Sequence, residues 1–136
     1  MSDVVTEAKP AIAAAIIVRD GKLLLVQRRV AEGSLSWQFP AGAVEAGETF
    51  EEAAVRETAE ETGLTVEAVK MLGERVHPNT GRLVGYVACE VRSGTAYVAD
   101  AEELADLVWA APDQLTDYVP YGFAPIVQDY LTVTLQ

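Results

Sequence analysis

Apolar runs separated by short polar turns dominate this chain, a pattern typical of a domain rich in β-strands. The first run, AIAAAIIVRD, indicates a buried strand, and Asp20-Gly21 is a strong hairpin signal before a second strand, KLLLVQRR. Residues 30–36 then form a polar loop, and a short strand at residues 37–39 ends at the following proline. The hairpin makes the first two strands antiparallel neighbours.

The second half of the chain repeats the β-rich pattern. LTVEAVKMLGERVH and RLVGYVACEV indicate two strands on either side of a turn at residues 78–81. TAYVADAEE is interpreted as a short strand that leads into an acidic loop, and LVWAA as a further short strand. Pro112 can start a short helix, and an amphipathic helix is expected at residues 123–131. These elements predict an α/β fold, a mixed sheet covered by helices on both faces.

One segment between the two groups of strands has the pattern of a helix. Thr49 and Glu52 have the spacing of a capping box, and Gly63 is a natural residue to end the helix. Small and aliphatic residues at 53–55, together with Thr58, provide a surface that can pack on a sheet. We therefore expect a helix from about Thr49 that docks on the sheet.

Three glutamates of this helix break two local rules. Glu57, Glu60 and Glu61 lie at i, i+3 and i+4 on one face, where like charges repel by about 0.2–0.5 kcal/mol per pair. They also occupy the last turns, where the helix dipole disfavours each negative charge by about 0.3–1 kcal/mol. A hard divalent cation bound by oxygen ligands would reverse both penalties. A solvated acidic face is the alternative, and the local pattern leaves both open.

The full pattern around this helix resembles the Nudix box of the Nudix hydrolases. GAVEAGETFEEAAVRETAEETGL, residues 42–64, fills the fixed positions of that signature at its spacing. Thr58 is the one departure, since the family usually has an aliphatic residue there, but its methyl group can still pack against the sheet. The resemblance implies the α/β/α Nudix sandwich, with a central mixed sheet flanked by helices. It also implies metal-dependent hydrolysis of a nucleoside diphosphate linked to another group X.

The resemblance assigns roles to residues of the box. Glu57, Glu60 and Glu61 match the glutamates that bind Mg²⁺ or Mn²⁺, and the carbonyl of Gly42 matches a further ligand. Glu57 also matches a residue often assigned as the general base, although some relatives use a glutamate outside the box. Arg56 lies four residues before Glu60 and can hold its carboxylate, or it can form an ordinary surface ion pair.

Two supporting carboxylates are expected. Glu48 occupies the first glutamate position of the box, where we expect either an indirect metal contact or fixation of the loop. A carboxylate from a later acidic loop commonly completes such a site. Glu103 is our choice among the candidates there, and a solvated loop charge is the alternative for every one of them. The other candidates are Asp100, Glu102 and Asp106.

Residues outside the box match substrate contacts. Arg28 matches a phosphate-contacting arginine, with a salt bridge at a strand end as the alternative. Family members often carry a lysine after the first glycine of the box. Ala43 stands there, so Arg82 is a candidate for the missing phosphate contact, or a turn arginine that faces solvent. Tyr118 and Tyr121 fall where relatives hold the base, and an aromatic ring there can stack on it.

The layout of the whole chain resembles the small nucleoside triphosphate pyrophosphohydrolases, the house-cleaning and CTP-like branch. That resemblance implies hydrolysis of a nucleoside triphosphate to a monophosphate and pyrophosphate. An ADP-ribose or nucleotide-sugar pyrophosphatase is one alternative, because PAGAVEAGE resembles the approach to the box in that branch. A non-catalytic nucleotide-binding sensor is the other, although such domains tend to lose the glutamates that this chain keeps.

Composition and charge limit the kinds of partner that this protein is expected to bind. With 136 residues, 50% of them hydrophobic, we expect a loose arm at residues 1–10 and one domain at residues 11–136. The net charge of −11 opposes a nucleic-acid or anionic membrane partner, so a small phosphorylated nucleotide would need a bridging cation. A homodimer is left open.

Three further features of the sequence indicate the cellular compartment of the protein. Cys89 is the single cysteine, which permits no internal disulfide and no thiolate zinc cluster. The start of the chain, MSDVVTEAKP, is acidic rather than basic, and no apolar run is long enough to span a bilayer. We therefore expect a cytoplasmic protein.

Overall fold

The computed structural model describes residues 9–29, 35–78 and 80–135, and this part of the chain forms a mixed sheet with helices packed against it. The strands are β1 Ile12–Arg19, β2 Lys22–Arg29, β3 Leu35–Gln38, β4 Ala41–Ala43, β5 Thr65–Val76, β6 Leu83–Ser93 and β7 Leu104–Ala110. The helices are α1 Phe50–Thr62, α2 Leu115–Tyr118 and α3 Pro125–Thr134, and a short 3-10 helix, Pro112–Gln114, precedes α2. None of these described helices has the length and apolarity needed to cross a bilayer.

Strand β1 lies at the centre of the sheet. It pairs in parallel with β6 on one side and antiparallel with β4 on the other, and only its last residues pair with β2. β5 extends the sheet beyond β6, while β2 pairs with both β3 and β7. The sheet combines parallel and antiparallel pairs, which confirms the predicted mixed topology.

The two faces of the sheet are covered by different helices. Successive residues of a strand point to opposite faces, so neighbouring β1 side chains enter different cores. Ala15 belongs to the cluster that contains Ala53 of α1, and Ile16 belongs to the cluster that contains Leu131 of α3. The α/β class with flanking helices, predicted from the order of elements, is confirmed.

Local sequence signals hold where a short segment determines its own conformation. Asp20 and Gly21 both have positive φ, 54° and 74°, and join β1 to β2 as the expected two-residue hairpin. Thr49 caps α1 through the capping box with Glu52. Gly63 ends the helix in the left-handed conformation that favours glycine.

The strand predicted in TAYVADAEE is wrong, because residues 94–100 form no regular structure. Their amides instead bond the end of α1, with Tyr97 N donating to the Thr62 carbonyl and Ala99 N to the Glu61 carbonyl, at 3.0 and 2.9 Å. The last carbonyls of a helix lack partners within the helix, so these bonds satisfy groups that a strand at this position would leave open.

Several other bounds differ from expectation. β7 begins three residues before the predicted LVWAA strand, and the last helix begins at Pro125 rather than at residue 123. Most of the expected loop, residues 30–34, and most of the expected N-terminal arm, residues 1–8, lie outside the described residues.

Candidate functional site

Helix α1 turns its small residues towards the sheet and its glutamates towards the sheet edge formed by β4. Ala53, Ala54 and Thr58 are fully buried against the sheet. Thr58, the departure from the family pattern, donates its hydroxyl to the Ala54 carbonyl at 2.8 Å. Its polar group is therefore satisfied inside the core, and the substitution disturbs neither the helix nor its docking.

The three glutamates differ in exposure although they share one face. The exposed fraction of the side chain is 4% for Glu61, 14% for Glu57 and 55% for Glu60. The face is therefore graded from a buried carboxylate to a solvated one. A uniformly solvated acidic face, the alternative left open by the sequence, does not describe this helix.

Glu61 is held by Arg28 and by the backbone of β4. Its carboxylate accepts from Arg28 Nη2 at 2.9 Å and from the Ala41 amide at 3.2 Å. Arg28 Nη2 also donates to the Ala41 carbonyl at 3.1 Å. Burial raises the pKa of Glu61, and the charge and hydrogen bond of Arg28 only partly oppose that rise.

Glu57 packs directly beneath Gly42. A side chain at position 42 would overlap the Glu57 carboxylate, so only glycine allows this approach. Burial raises the pKa of Glu57 and the hydrogen bond from Arg56 opposes it. The structure thus brings the Gly42 backbone and the Glu57 carboxylate together, as the box pattern predicts for a shared site.

Arg56 connects the loop before α1 to the glutamates of the helix. Its Nε donates to Glu48 at 2.7 Å, its Nη1 to Glu57 at 2.8 Å and its Nη2 to the Ala43 carbonyl at 2.9 Å. Its contact with Glu60, expected from the i,i+4 spacing, is longer at 3.3 Å. The hydrogen bond from Arg56 lowers the pKa of Glu48 to about 2, and the pKa of Arg56 itself is raised.

Glu103 is the acidic-loop residue that reaches this cluster. Its carboxylate lies 3.6 Å from Arg28 Nη1, whereas Glu61 contacts Nη2 of the same guanidinium. The loop is tied to the end of β2, because Arg29 N donates to the Glu103 carbonyl at 2.8 Å and Arg29 Nε to the Ala101 carbonyl at 3.2 Å. The sequence alone had no means of separating Glu103 from its acidic neighbours.

Negative charge in this cluster exceeds positive charge. The ion pairs of Arg28 and Arg56 involve six carboxylates, those of Glu45, Glu48, Glu57, Glu60, Glu61 and Glu103. Among the described residues, no three acidic, histidine or cysteine side chains converge as a formed metal site. The donors present are carboxylates and a peptide carbonyl, and two of the carboxylates are partly desolvated. This all-oxygen set fits a hard divalent cation such as Mg²⁺ or Mn²⁺.

A cavity of about 640 Å³ opens beside this cluster, and its lining contrasts with the charge of the protein. Arg28, Arg75, Arg82 and His77 line it, and none of the described acidic residues does. Gly42 and Arg28 belong both to the cavity wall and to the glutamate cluster. The cavity and the glutamates therefore form one continuous site.

The predicted substrate-binding residues are distributed unevenly around this cavity. Arg28 and Arg82 line it, but Arg82 Nε and Nη2 both donate to the Pro10 carbonyl, at 3.1 and 2.8 Å. Tyr118 lies behind the wall, where its ring meets Trp37 edge-on at 4.8 Å. Tyr121 is 100% exposed and lies outside the lining.

Comparison with known proteins identifies the family of this chain. The family model described as the NUDIX domain matches residues 9–130. The chain belongs to the Nudix family. The CTP pyrophosphohydrolase of Escherichia coli K12 is 34% identical over 110 residues, which cover 79% of each chain. A Caenorhabditis elegans relative is 48% identical over 69 residues, but this chain spans only 19% of that protein.

The fold agrees as well. A NUDIX hydrolase from Nitrosomonas europaea superposes with a TM-score of 0.76 at 24% identity, over 90% of this chain and 88% of the other. The chain is thus a Nudix hydrolase with the Nudix sandwich, as expected from the box. Segment 42–64 of the sequence lies within the matched region and supplies both α1 and its glutamates.

Proposed function

We propose that this Nudix hydrolase is a divalent-metal-dependent enzyme that converts a nucleoside triphosphate to a monophosphate and pyrophosphate. The observation that carries the proposal is the cavity: its described lining contains arginines and no acidic side chain, and it joins the glutamate cluster at Gly42 and Arg28. The net charge of −11 disfavours an anionic ligand on most of the protein surface. The arginines of the cavity lining favour such a ligand at this place.

Glu57, Glu60, Glu61 and the Gly42 carbonyl are the groups that would hold Mg²⁺ or Mn²⁺. Bound there, the metal would neutralise phosphate oxygens and lower the pKa of a coordinated water. Arg56 supports this arrangement by fixing Glu57 and Glu48 relative to the loop that carries Gly42. Arg28 would contact a phosphate while holding Glu61, because this residue lines the cavity and its guanidinium bonds the carboxylate.

Two glutamates are candidates to take the proton of the attacking water. Glu57 belongs to the box and packs against Gly42, whereas Glu103 is more exposed and pairs with Arg28 Nη1. Glu57 would lose a metal contact if it also served as the base. We therefore expect Glu103→Gln to lower kcat with little change in metal affinity, and Glu57→Gln to reduce both.

The test is product analysis by chromatography. Purified protein with Mg²⁺ is offered the common nucleoside triphosphates and ADP-ribose, beside a Glu57→Gln/Glu60→Gln double variant. Monophosphate and pyrophosphate from triphosphates, formed only by the unmodified protein, are the expected result. Turnover of ADP-ribose alone would replace the proposal by the nucleotide-sugar alternative. Nucleotide-induced stabilisation without any turnover would instead indicate the non-catalytic sensor.

A further inference from the structure

Arg75 lines the same cavity but belongs to none of the contacts described so far. It lies on β5, is half-buried, and donates through Nε to the Tyr86 hydroxyl at 3.2 Å. Within residues 9–29, 35–78 and 80–135, its two terminal guanidinium nitrogens have no hydrogen-bond acceptor and no carboxylate partner. A half-buried guanidinium with open donors in a ligand cavity points to a ligand group that accepts from both.

The sheet register separates Arg75 from the glutamate cluster. Arg75 pairs with Val84, Val84 with Ile12, and Ile12 with Ala43, so one row of the sheet runs from β5 to β4. Adjacent strands lie about 4.8 Å apart, which places the Arg75 backbone about 14 Å from Ala43. Phosphates held near Gly42 therefore leave Arg75 beside the part of the nucleotide furthest from the metal.

Aromatic rings line the cavity next to Arg75. Phe39 and Phe123 are stacked with centroids 5.3 Å apart and planes 28° apart, and Phe39 meets Tyr86 edge-on at 6.4 Å. All three residues are part of the cavity lining. Aromatic side chains offer stacking surfaces to any base, so this wall favours a nucleobase at the Arg75 end without choosing among bases.

We propose that Arg75 selects the base: its guanidinium binds a base edge that presents two adjacent acceptors, and Tyr86 orients it. Cytosine offers O2 and N3, and guanine offers O6 and N7. The corresponding edges of adenine, uracil and thymine place a donor beside each acceptor. One N–H of the Arg75 guanidinium would then face an N–H of the base. The inference rests on the proposed function, because it assumes that the phosphates occupy the Gly42 end.

The first experiment compares kcat/KM for GTP against ATP and for CTP against UTP. A bidentate arginine contact discriminates by about 1–3 kcal/mol, so each ratio should be about fivefold or more in the unmodified protein. Arg75→Gln should bring both ratios close to one, with a relative gain for ATP, because glutamine presents the donor and acceptor that adenine matches. Arg75→Lys keeps the charge but lacks the fork, and should also lose both ratios.

Two further variants separate selection from folding. Arg92→Gln removes the same charge from an exposed β6 residue, paired with Glu67 outside the cavity, and should leave both ratios unchanged. Tyr86→Phe removes the hydroxyl that accepts from Arg75 and should lower both ratios partially. Its effect on the KM of each triphosphate should be smaller than its effect on the ratios. If Arg75→Gln fails to fold, the kcat/KM ratios of the unmodified protein and of Arg75→Lys still test the inference.

The second experiment measures binding without hydrolysis. CMP, UMP, GMP and AMP, which contain no anhydride bond to hydrolyse, are titrated calorimetrically into the protein with Mg²⁺, where the same preference for CMP and GMP should appear and should be absent in Arg75→Gln. Equal affinities in the unmodified protein, or a preference that survives Arg75→Gln, would overturn the inference. Selective binding without turnover of any triphosphate would overturn the proposed function while leaving the selection by Arg75 intact.

Discussion

Replacing Glu57 by glutamine should make the metal-free protein more stable and the Mg²⁺-loaded protein less stable. Glu57 shares its helix face with Glu60 and Glu61, and its side chain is only 14% exposed. The change removes one negative charge and keeps an amide oxygen that can still accept from Arg56. Arg56 also retains Glu48 at 2.7 Å, so no buried charge is left unpaired.

The magnitude follows from the two like-charge neighbours. Each such pair on a helix costs about 0.2–0.5 kcal/mol, so removing Glu57 relieves about 0.4–1 kcal/mol. Burial raises the pKa of Glu57 despite Arg56, so the folded state favours the neutral form. Its contribution to stability is therefore full below its ordinary pKa of 4.5 and is lost as pH rises. The advantage of the glutamine variant should appear at neutral pH and vanish below about pH 4.5.

Magnesium should reverse the order of stability. At a concentration 100 times its Kd, a ligand stabilises the folded state by about 2.7 kcal/mol. If loss of one carboxylate weakens binding about 100-fold, the stabilisation of the variant falls to about 0.4 kcal/mol. The unmodified protein should then melt several degrees above the variant with Mg²⁺, and a few degrees below it in EDTA.

The assay is thermal unfolding at pH 7.5 with EDTA and with Mg²⁺, read by circular dichroism. Glu51→Gln is the matched control, since Glu51 lies in the exposed first turn of the same helix and should leave the response to Mg²⁺ unchanged. A Glu57→Gln protein that melts lower than the unmodified protein in EDTA, yet responds equally to Mg²⁺, would show that Glu57 anchors Arg56 and binds no metal.

Three further predictions concern other parts of the molecule. Because Arg56 lowers the pKa of Glu48 from 4.5 to about 2, Glu48 stabilises the fold above pH 4.5 and loses this effect as pH falls towards 2. The stability gap between Glu48→Gln and the unmodified protein, measured by urea unfolding, should close over that range. Burial raises the pKa of Cys89 to about 12, so iodoacetamide at pH 8 should alkylate it only in urea, as judged by mass spectrometry. Gly85→Ala should cost about 1–3 kcal/mol in urea unfolding, because the new methyl group would overlap the Phe50 ring, and Phe50→Leu in the same chain should recover part of that loss.

Features set by adjacent residues could be predicted from the sequence, whereas features set by distant ones could not. The Asp20-Gly21 turn and the caps of α1 at Thr49 and Gly63 depend on a few neighbouring residues, and the structure contains all of them. Residues 94–100 have the composition of a strand, but their amides bond carbonyls at the end of α1. No pattern within the segment itself carries that information.

The same distinction applies to the site. The glutamates of the box lie on one helix, so their spacing predicts that they share a face. The Arg75 end of the cavity requires a row of residues across four strands, and its position depends on register shifts between β5 and β6. Alternation along β5 and β6 does indicate that Arg75 and Tyr86 are sheet residues. It gives no sign that they face the cavity beside Phe39 and Phe123.

Separation of charge would allow so acidic a chain to hold the proposed anionic substrate. The acidic residues that surround Arg56 and Arg28 lie at the β4 edge, and the cavity wall beyond Gly42 contains arginines and aromatic rings. A nucleotide with a metal ion is itself divided in this way, since the cation accompanies the phosphates and the base is neutral. In the proposed binding mode, the glutamates would face the cation, Arg28 would face phosphate oxygens, and Arg75 would face base acceptors. The glutamates meet positive charge only if phosphate and metal arrive together, so an uncomplexed triphosphate should be excluded from the glutamate end by repulsion.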